Sequence, residues 1–213
     1  GEVTVIKSNV QEIETCTPIP HRHAEALSVP LVPKGCVGVW VAPLLPNTYY
    51  LNEHAYTPTK ISTRVNAWEY KGGYTRRYID LIVDQSGEIT QKEREEKVPE
   101  PDYAADGAIN VQVEGWLVPL ELRVLAQVAP EDAPFVVASV GGIQEIEDNI
   151  ITPTMRSVLR NVAGAEGRKV FDLLDKRAEL ESLVEEALIP EGRKAGITIK
   201  EVRFGEPVIP PEL

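Results

Sequence analysis

The sequence predicts an α+β fold in which helices pack on one face of an antiparallel sheet. Three observations carry this. The first half alternates polar and apolar residues in short runs broken by proline and glycine, the pattern of strands. The second half holds two segments with apolar residues at helical spacing. A last alternating run, Ile197 to Phe204, brings the chain back to a sheet.

Taken in order, Glu2-Val3-Thr4-Val5-Ile6 is the first strand. Asn9 to Pro33 has three prolines before Pro33 and no sustained period, so a long surface loop is expected. Val37 to Val41 is a second strand, ended by Pro43 and Pro46, with Asn47 as a turn residue. Ile61 to Trp68 and Tyr78 to Val83 read as strands, and Lys71-Gly72-Gly73-Tyr74 between them has the glycines of a tight reversal. Gln85 to Asp106 is polar. Its mixed-charge run Gln91 to Lys97 reads as a solvated strand or loop, with a partner-binding segment as the alternative. Ile109 to Val113 alternates cleanly. Leu117 to Val128 follows as a strand that turns Leu120, Leu122, Val124 and Ala126 to one face. Pro119 lacks a donor and is expected at an edge or a bulge.

The first helix, about Ile143 to Val162, contains Pro153. Thr152-Pro153 is either the start of a new helix or a kink in one longer helix. The kinked helix is favoured, because acids at Glu145, Glu147 and Asp148 suit an N-terminus and Arg156 and Arg160 suit a C-terminus. Gly164 ends it. The second helix carries a stripe of Leu180, Leu183, Val184, Ala187 and Leu188 toward a core. Glu181, Glu185 and Glu186 lie opposite, and Pro190 and Gly192 weaken its end.

Composition bounds the function. The 213 residues are 43% hydrophobic and 26% charged, which suits one large domain or two small ones. The chain reads as one domain over 1–213, divisible into a strand-rich part (about 1–105) and a strand-helix-helix-strand part (106–213). With 22 basic and 33 acidic residues the net charge is −11, which repels a nucleic-acid backbone and disfavours adsorption to anionic lipid. No apolar run approaches the ~20 residues of a membrane helix, and no signal-peptide pattern is visible. Cys16 and Cys36 read as free thiols. Two cysteines make neither a disulfide framework nor a zinc site without other ligands. A metal site with His21-Arg22-His23 is disfavoured by Pro18 and Pro20, which indicate an irregular loop.

No catalytic constellation stands out, and no cofactor or metal is expected. A hydrolase would need more than scattered Ser, His and Asp, and no G-x-S-x-G elbow occurs. Asp172/Asp175 and Glu145/Asp148 are acidic pairs at helical spacing of the kind that is usually solvated. P-loop and dinucleotide fingerprints are absent. A lipid or small-ligand carrier would need a large apolar pocket.

A family pattern runs along the chain. Gly35-Cys36-Val37-Gly38-Val39 is a Gly-Val opening strand, and Leu45 to Asn52 is a turn into an aromatic strand, with Asn47 in place of the usual glycine. Asn tolerates the left-handed backbone that such a turn uses. Asp106-Gly107-Ala108-Ile109, Leu122-Arg123-Val124, Leu159-Arg160-Asn161-Val162-Ala163-Gly164, Gly196-Ile197 and Pro210-Pro211 follow in order. Together they resemble the SPFH domain, or band 7, of stomatins, prohibitins and flotillins. The resemblance implies a strongly bent antiparallel sheet with helices on one face and no catalytic residues. It further implies a membrane scaffold that self-assembles and organises microdomains, membrane proteins or proteases. Such proteins carry a membrane anchor before the domain and a coiled coil after it, so both are expected outside these residues. Arg156 and Arg160 are like charges at i, i+4, which repel unless an acid approaches. They are therefore candidates to meet Glu181 and Glu185 of a neighbouring subunit, although pairing within one subunit is slightly favoured.

Overall fold

The computed structural model describes residues 1–21 and 27–213. The chain forms two compact units. Unit 1 comprises Gly1–Ala67, Leu125–Thr154 and Glu186–Glu201, and unit 2 comprises Trp68–Val124, Met155–Glu185 and Val202–Leu213. Each therefore draws on both halves of the sequence.

Unit 1 holds β1 (Glu2–Ser8), β2 (Leu31–Val32), β3 (Gly38–Trp40) and β4 (Tyr56–Ser62), ordered β2-β3-β1-β4. β1 runs antiparallel to β3 and β4, and β2 runs parallel to β3. Pro58 sits on the edge strand β4, where a missing donor is tolerated. The strand expected from Ile61 to Trp68 is divided: β4 ends at Ser62, and β5 (Asn66–Tyr70) joins a different sheet. Asn47 does not adopt the left-handed backbone expected of it. Among the described non-glycine residues only Glu114 has positive φ (51°), and Asn47 instead accepts the Thr48 N–H through Oδ1 at 2.8 Å.

Sequence periodicity did not reveal α1 (Ala133–Ser139). Its Ala133, Phe135, Val136 and Ala138 are all buried, so it has no polar stripe to set a helical period. Its visible signal is Pro134 in the first turn. It packs on β1, β2 and β3. Ser28 secures its end, donating both N–H and hydroxyl to the Ala138 carbonyl at 2.9 and 2.8 Å.

The helix through Pro153 is one continuous segment. α2 (Ile143–Ile146) passes through a π-helical turn at Glu147–Ile151 into α3 (Thr152–Ala163). Thr152 keeps helical angles (φ −61°, ψ −50°), so it does not start a new helix. A π turn just before a proline changes the hydrogen-bond register where the donor is missing.

Unit 2 contains a hairpin, β6 (Tyr74–Val83) with β7 (Ile89–Val98), which pairs over its full length and belongs to no larger sheet. Gly72 and Gly73 (φ 71° and 72°) do not close a hairpin between β5 and β6, as their spacing suggested. They turn the chain from the main sheet into this arm. A Cβ on Gly72 would lie 2.1 Å from the Pro99 carbonyl oxygen, so only glycine fits. The main sheet has the order β10-β9-β5, with β8 also on β9, where β8 is Ile109–Val113, β9 Trp116–Gln127 and β10 Thr198–Pro207. Glu114-Gly115, both at positive φ, form the two-residue turn from β8 to β9. Leu120, Leu122, Val124 and Ala126 are all buried, as the alternation predicts. Pro119 pairs with Asn110, and its carbonyl accepts the N–H of Val208, one residue beyond β10. β10 ends at Pro207, so the donor that Pro119 lacks falls just past the end of that strand.

Two further helices complete the chain: α4 (Asp172–Asp175) and α5 (Arg177–Lys194). α5 continues past Pro190. Its buried residues include Leu180, Glu181, Val184 and Leu188, whereas Leu183 is 36% exposed and Ala187 is exposed. The expected stripe is therefore rotated by about one residue, and this brings Glu181 inside.

Candidate functional site

The α5 carboxylates expected to face a neighbour face the chain's own β10. Glu181, 6% exposed, accepts the Phe204 N–H at 2.9 Å, Arg177 Nε at 3.2 Å and Arg203 Nη1 at 3.2 Å. Burial alone would raise its carboxyl. The Phe204 N–H and the two guanidiniums outweigh burial and hold it below the usual carboxylate range. Glu185 accepts the Val202 N–H at 3.2 Å. One turn apart on α5, the two acids cap alternate amides of β10 and fix its register. Glu186 remains exposed.

Arg156 on α3 pairs with Asp106, which also accepts the Gly107 N–H at 2.9 Å. The Asp-Gly step noted in the sequence is thus tied to the helix. Arg160, one turn on, is exposed and makes no ion pair among the described residues. Of the four candidate contact residues it alone has neither an ion pair nor a side-chain hydrogen bond among the described residues. The structure does not bring Arg156 and Arg160 to Glu181 and Glu185 within the chain; each of the other three already has a partner of its own.

Beside this network lies an open cleft of about 310 Å³, lined by Lys71, Glu121, Arg123, Arg177 and Arg203 among others. Glu121 accepts the Gly72 N–H at 3.1 Å and the Tyr74 hydroxyl at 3.4 Å, which anchors the root of the β6–β7 arm. The arm itself is the solvated strand that the Gln91–Lys97 run suggested. Cross-strand charges hold it. Arg77 meets Glu93 at 3.7 Å, Arg94 meets Asp80 at 3.5 Å, and the guanidinium of Arg94 lies 4.2 Å from the Tyr78 ring centroid. Exposed pairs of this kind contribute only ~0–1 kcal/mol each, so they set register more than stability.

The cysteines correct the sequence reading. Cys16 and Cys36 form a disulfide, with Cα atoms 5.7 Å apart. The loop after β1 folds back on the β2–β3 corner, and Cys36 is buried with Ile6, Val32 and Trp40. Spacing of 20 in an irregular loop gives no sign of this proximity. His21 stacks on Phe135 at 4.1 Å between centroids, while Arg22 and His23 lie outside the described residues. No group of three or more His, Cys, Asp or Glu among the described residues is placed to hold a metal.

The fold is α+β with predominantly antiparallel strands, charged helix faces and an exposed two-stranded arm. The family model of the SPFH domain / Band 7 family matches residues 42–213, and the chain belongs to that family. The family is membrane-associated, known for scaffold roles and generally non-enzymatic. The Gly-Val step at Gly35 to Val39 lies before the matched region. No curated protein matches the chain. No helix among the described residues is long and apolar enough to cross a membrane.

Proposed function

We propose that the chain is the non-enzymatic scaffold domain of a membrane-anchored protein. It self-assembles into large oligomers and organises membrane microdomains or membrane protein complexes, proteases among them. The observation that carries this reading is family membership across residues 42–213. The anchor and a coiled coil, both outside these residues, supply the local concentration that makes weak lateral contacts effective. Arg160 contributes to the subunit contact, since its charge is unused among the described residues. The Cys16–Cys36 disulfide supports a domain that faces an oxidising compartment.

Electron micrographs of the full-length protein in detergent test the reading. Large closed or extended assemblies are expected. A small oligomer that turns over a substrate would end it.

A further inference from the structure

β9 and β10 place two arginines side by side on the exposed face of the unit 2 sheet. The Val208 N–H meets the Pro119 carbonyl, and a Cβ on Gly205 would lie 3.0 Å from the Cβ of Glu121. As β10 advances its partner residue recedes along β9, so the two strands are antiparallel. Two residues back from Gly205, Arg203 then stands against Arg123. Burial agrees with this register. Val202 and Phe204 are buried with Leu122 and Val124 on one face, and both arginines are exposed on the other. The Phe204 N–H and carbonyl both turn to α5, to Glu181 and Arg177. The Arg203 main chain therefore turns to β9.

Like charges directly opposite each other on paired strands are destabilising. Arg203 has Glu181 at 3.2 Å. Arg123 has no ion pair and no side-chain hydrogen bond among the described residues, and neither has Lys71. All three line the 310 Å³ cleft, together with Arg177, Glu69 and Glu121. Arg177 is taken up by Glu181 and the Phe204 carbonyl. Glu121 is turned to the Gly72 N–H and the Tyr74 hydroxyl.

The charge balance selects the ligand. With Glu181 counted, four cations face three carboxylates. One carboxylate closes that balance, and its two oxygens match a guanidinium fork. A phosphate group, with nearly two negative charges at pH 7, overshoots it. A nucleic-acid strand or an anionic bilayer meets the repulsion of the whole chain, whose net charge is −11.

We propose that Arg123 and Lys71 bind a carboxylate presented by an acidic peptide segment of a partner protein. The site lies within unit 2 and does not depend on the self-assembly proposed above.

The test uses the chain free in solution at low salt. Fluorescence anisotropy follows a dye-labelled hexaglutamate peptide, with hexaglutamine as the uncharged probe. Hexaglutamate alone is expected to bind. Arg123→Gln and Lys71→Gln should each weaken it about tenfold or more, the scale for losing a hydrogen bond to a charged group. Arg160→Gln removes the same charge from α3, outside the cleft, and should weaken it by less than about twofold. All three positions are exposed. Arg123→Gln also relieves the contact with Arg203, so its melting temperature should not fall. Absence of hexaglutamate binding overturns the site. Equal weakening by Arg160→Gln reduces the binding to general attraction and overturns it too. Inorganic phosphate that displaces the peptide at lower concentration than succinate would assign the cleft to phosphate. Succinate that displaces it as well as unlabelled hexaglutamate, at equal carboxylate concentration, would assign the cleft to a small free acid. Either result overturns the peptide.

Discussion

Glu181 is a carboxylate whose work is done inside its own fold. It takes one backbone amide and two guanidiniums, and removing it leaves the Phe204 N–H unsatisfied. Glu181→Ala should lower stability by about 2 kcal/mol, the scale for a buried network that loses its acceptor. Urea unfolding of the two proteins at pH 7 checks this. The pH dependence has a definite sign. The folded carboxyl titrates below its ordinary value of 4.5, so the unfolded chain binds more protons in between. Glu181 therefore stabilises fully above that value, and its contribution is lost as pH falls through the folded pKa. The gap between wild type and Glu181→Gln should shrink below pH 4.5 and stay constant above it. The disulfide acts at the same scale. Closing a loop of about this length stabilises by ~3 kcal/mol in the chain-entropy picture. Reduction should then lower the melting temperature by about 6–12 °C. An unchanged melting curve in reductant would contradict this.

Among the elements, α5 shows how a one-residue rotation changes an inference. Its apolar positions fit a stripe centred on Leu183 and Val184, but packing buries Val184 and leaves Leu183 36% exposed. Leu183→Asp is thus expected to change stability by less than about 0.5 kcal/mol, the usual range for surface substitutions. Val184→Asp should unfold the domain, because an unpaired buried carboxylate costs several kcal/mol, comparable to total stability. Thermal melts of the two variants separate these outcomes. If Leu183→Asp unfolds the protein and Val184→Asp does not, the α5 orientation is wrong. The β6–β7 arm shows the opposite case. Its mixed-charge run is visible in the sequence, but its place as a free-standing ladder depends on β5 pairing elsewhere.

For the whole molecule, the isolated chain is expected to be monomeric or weakly associating, because the assembly proposed above would draw on an anchor and a coiled coil outside these residues. Sedimentation at micromolar concentration checks this, and a stable large ring from these residues alone would contradict it. In full-length protein, Arg160→Glu should weaken assembly by up to ~1 kcal/mol per contact, a small term repeated around a closed oligomer. Adding Glu185→Arg should not restore assembly, since Glu185 serves the Val202 amide of its own chain. Restoration would show that Glu185 also reaches a neighbour. The sequence by itself determined the fold class, the β8 and β9 strands, the helix through Pro153 and family membership. Each depends on local periodicity, turn residues or motif order, which are written along the chain. Only tertiary structure decided the Cys16–Cys36 bond, the buried helix α1 and the inward placement of Glu181. The physical reason is shared. A loop's return path, a helix without a polar face and a one-residue rotation leave no period in sequence. Each is set by what the element packs against.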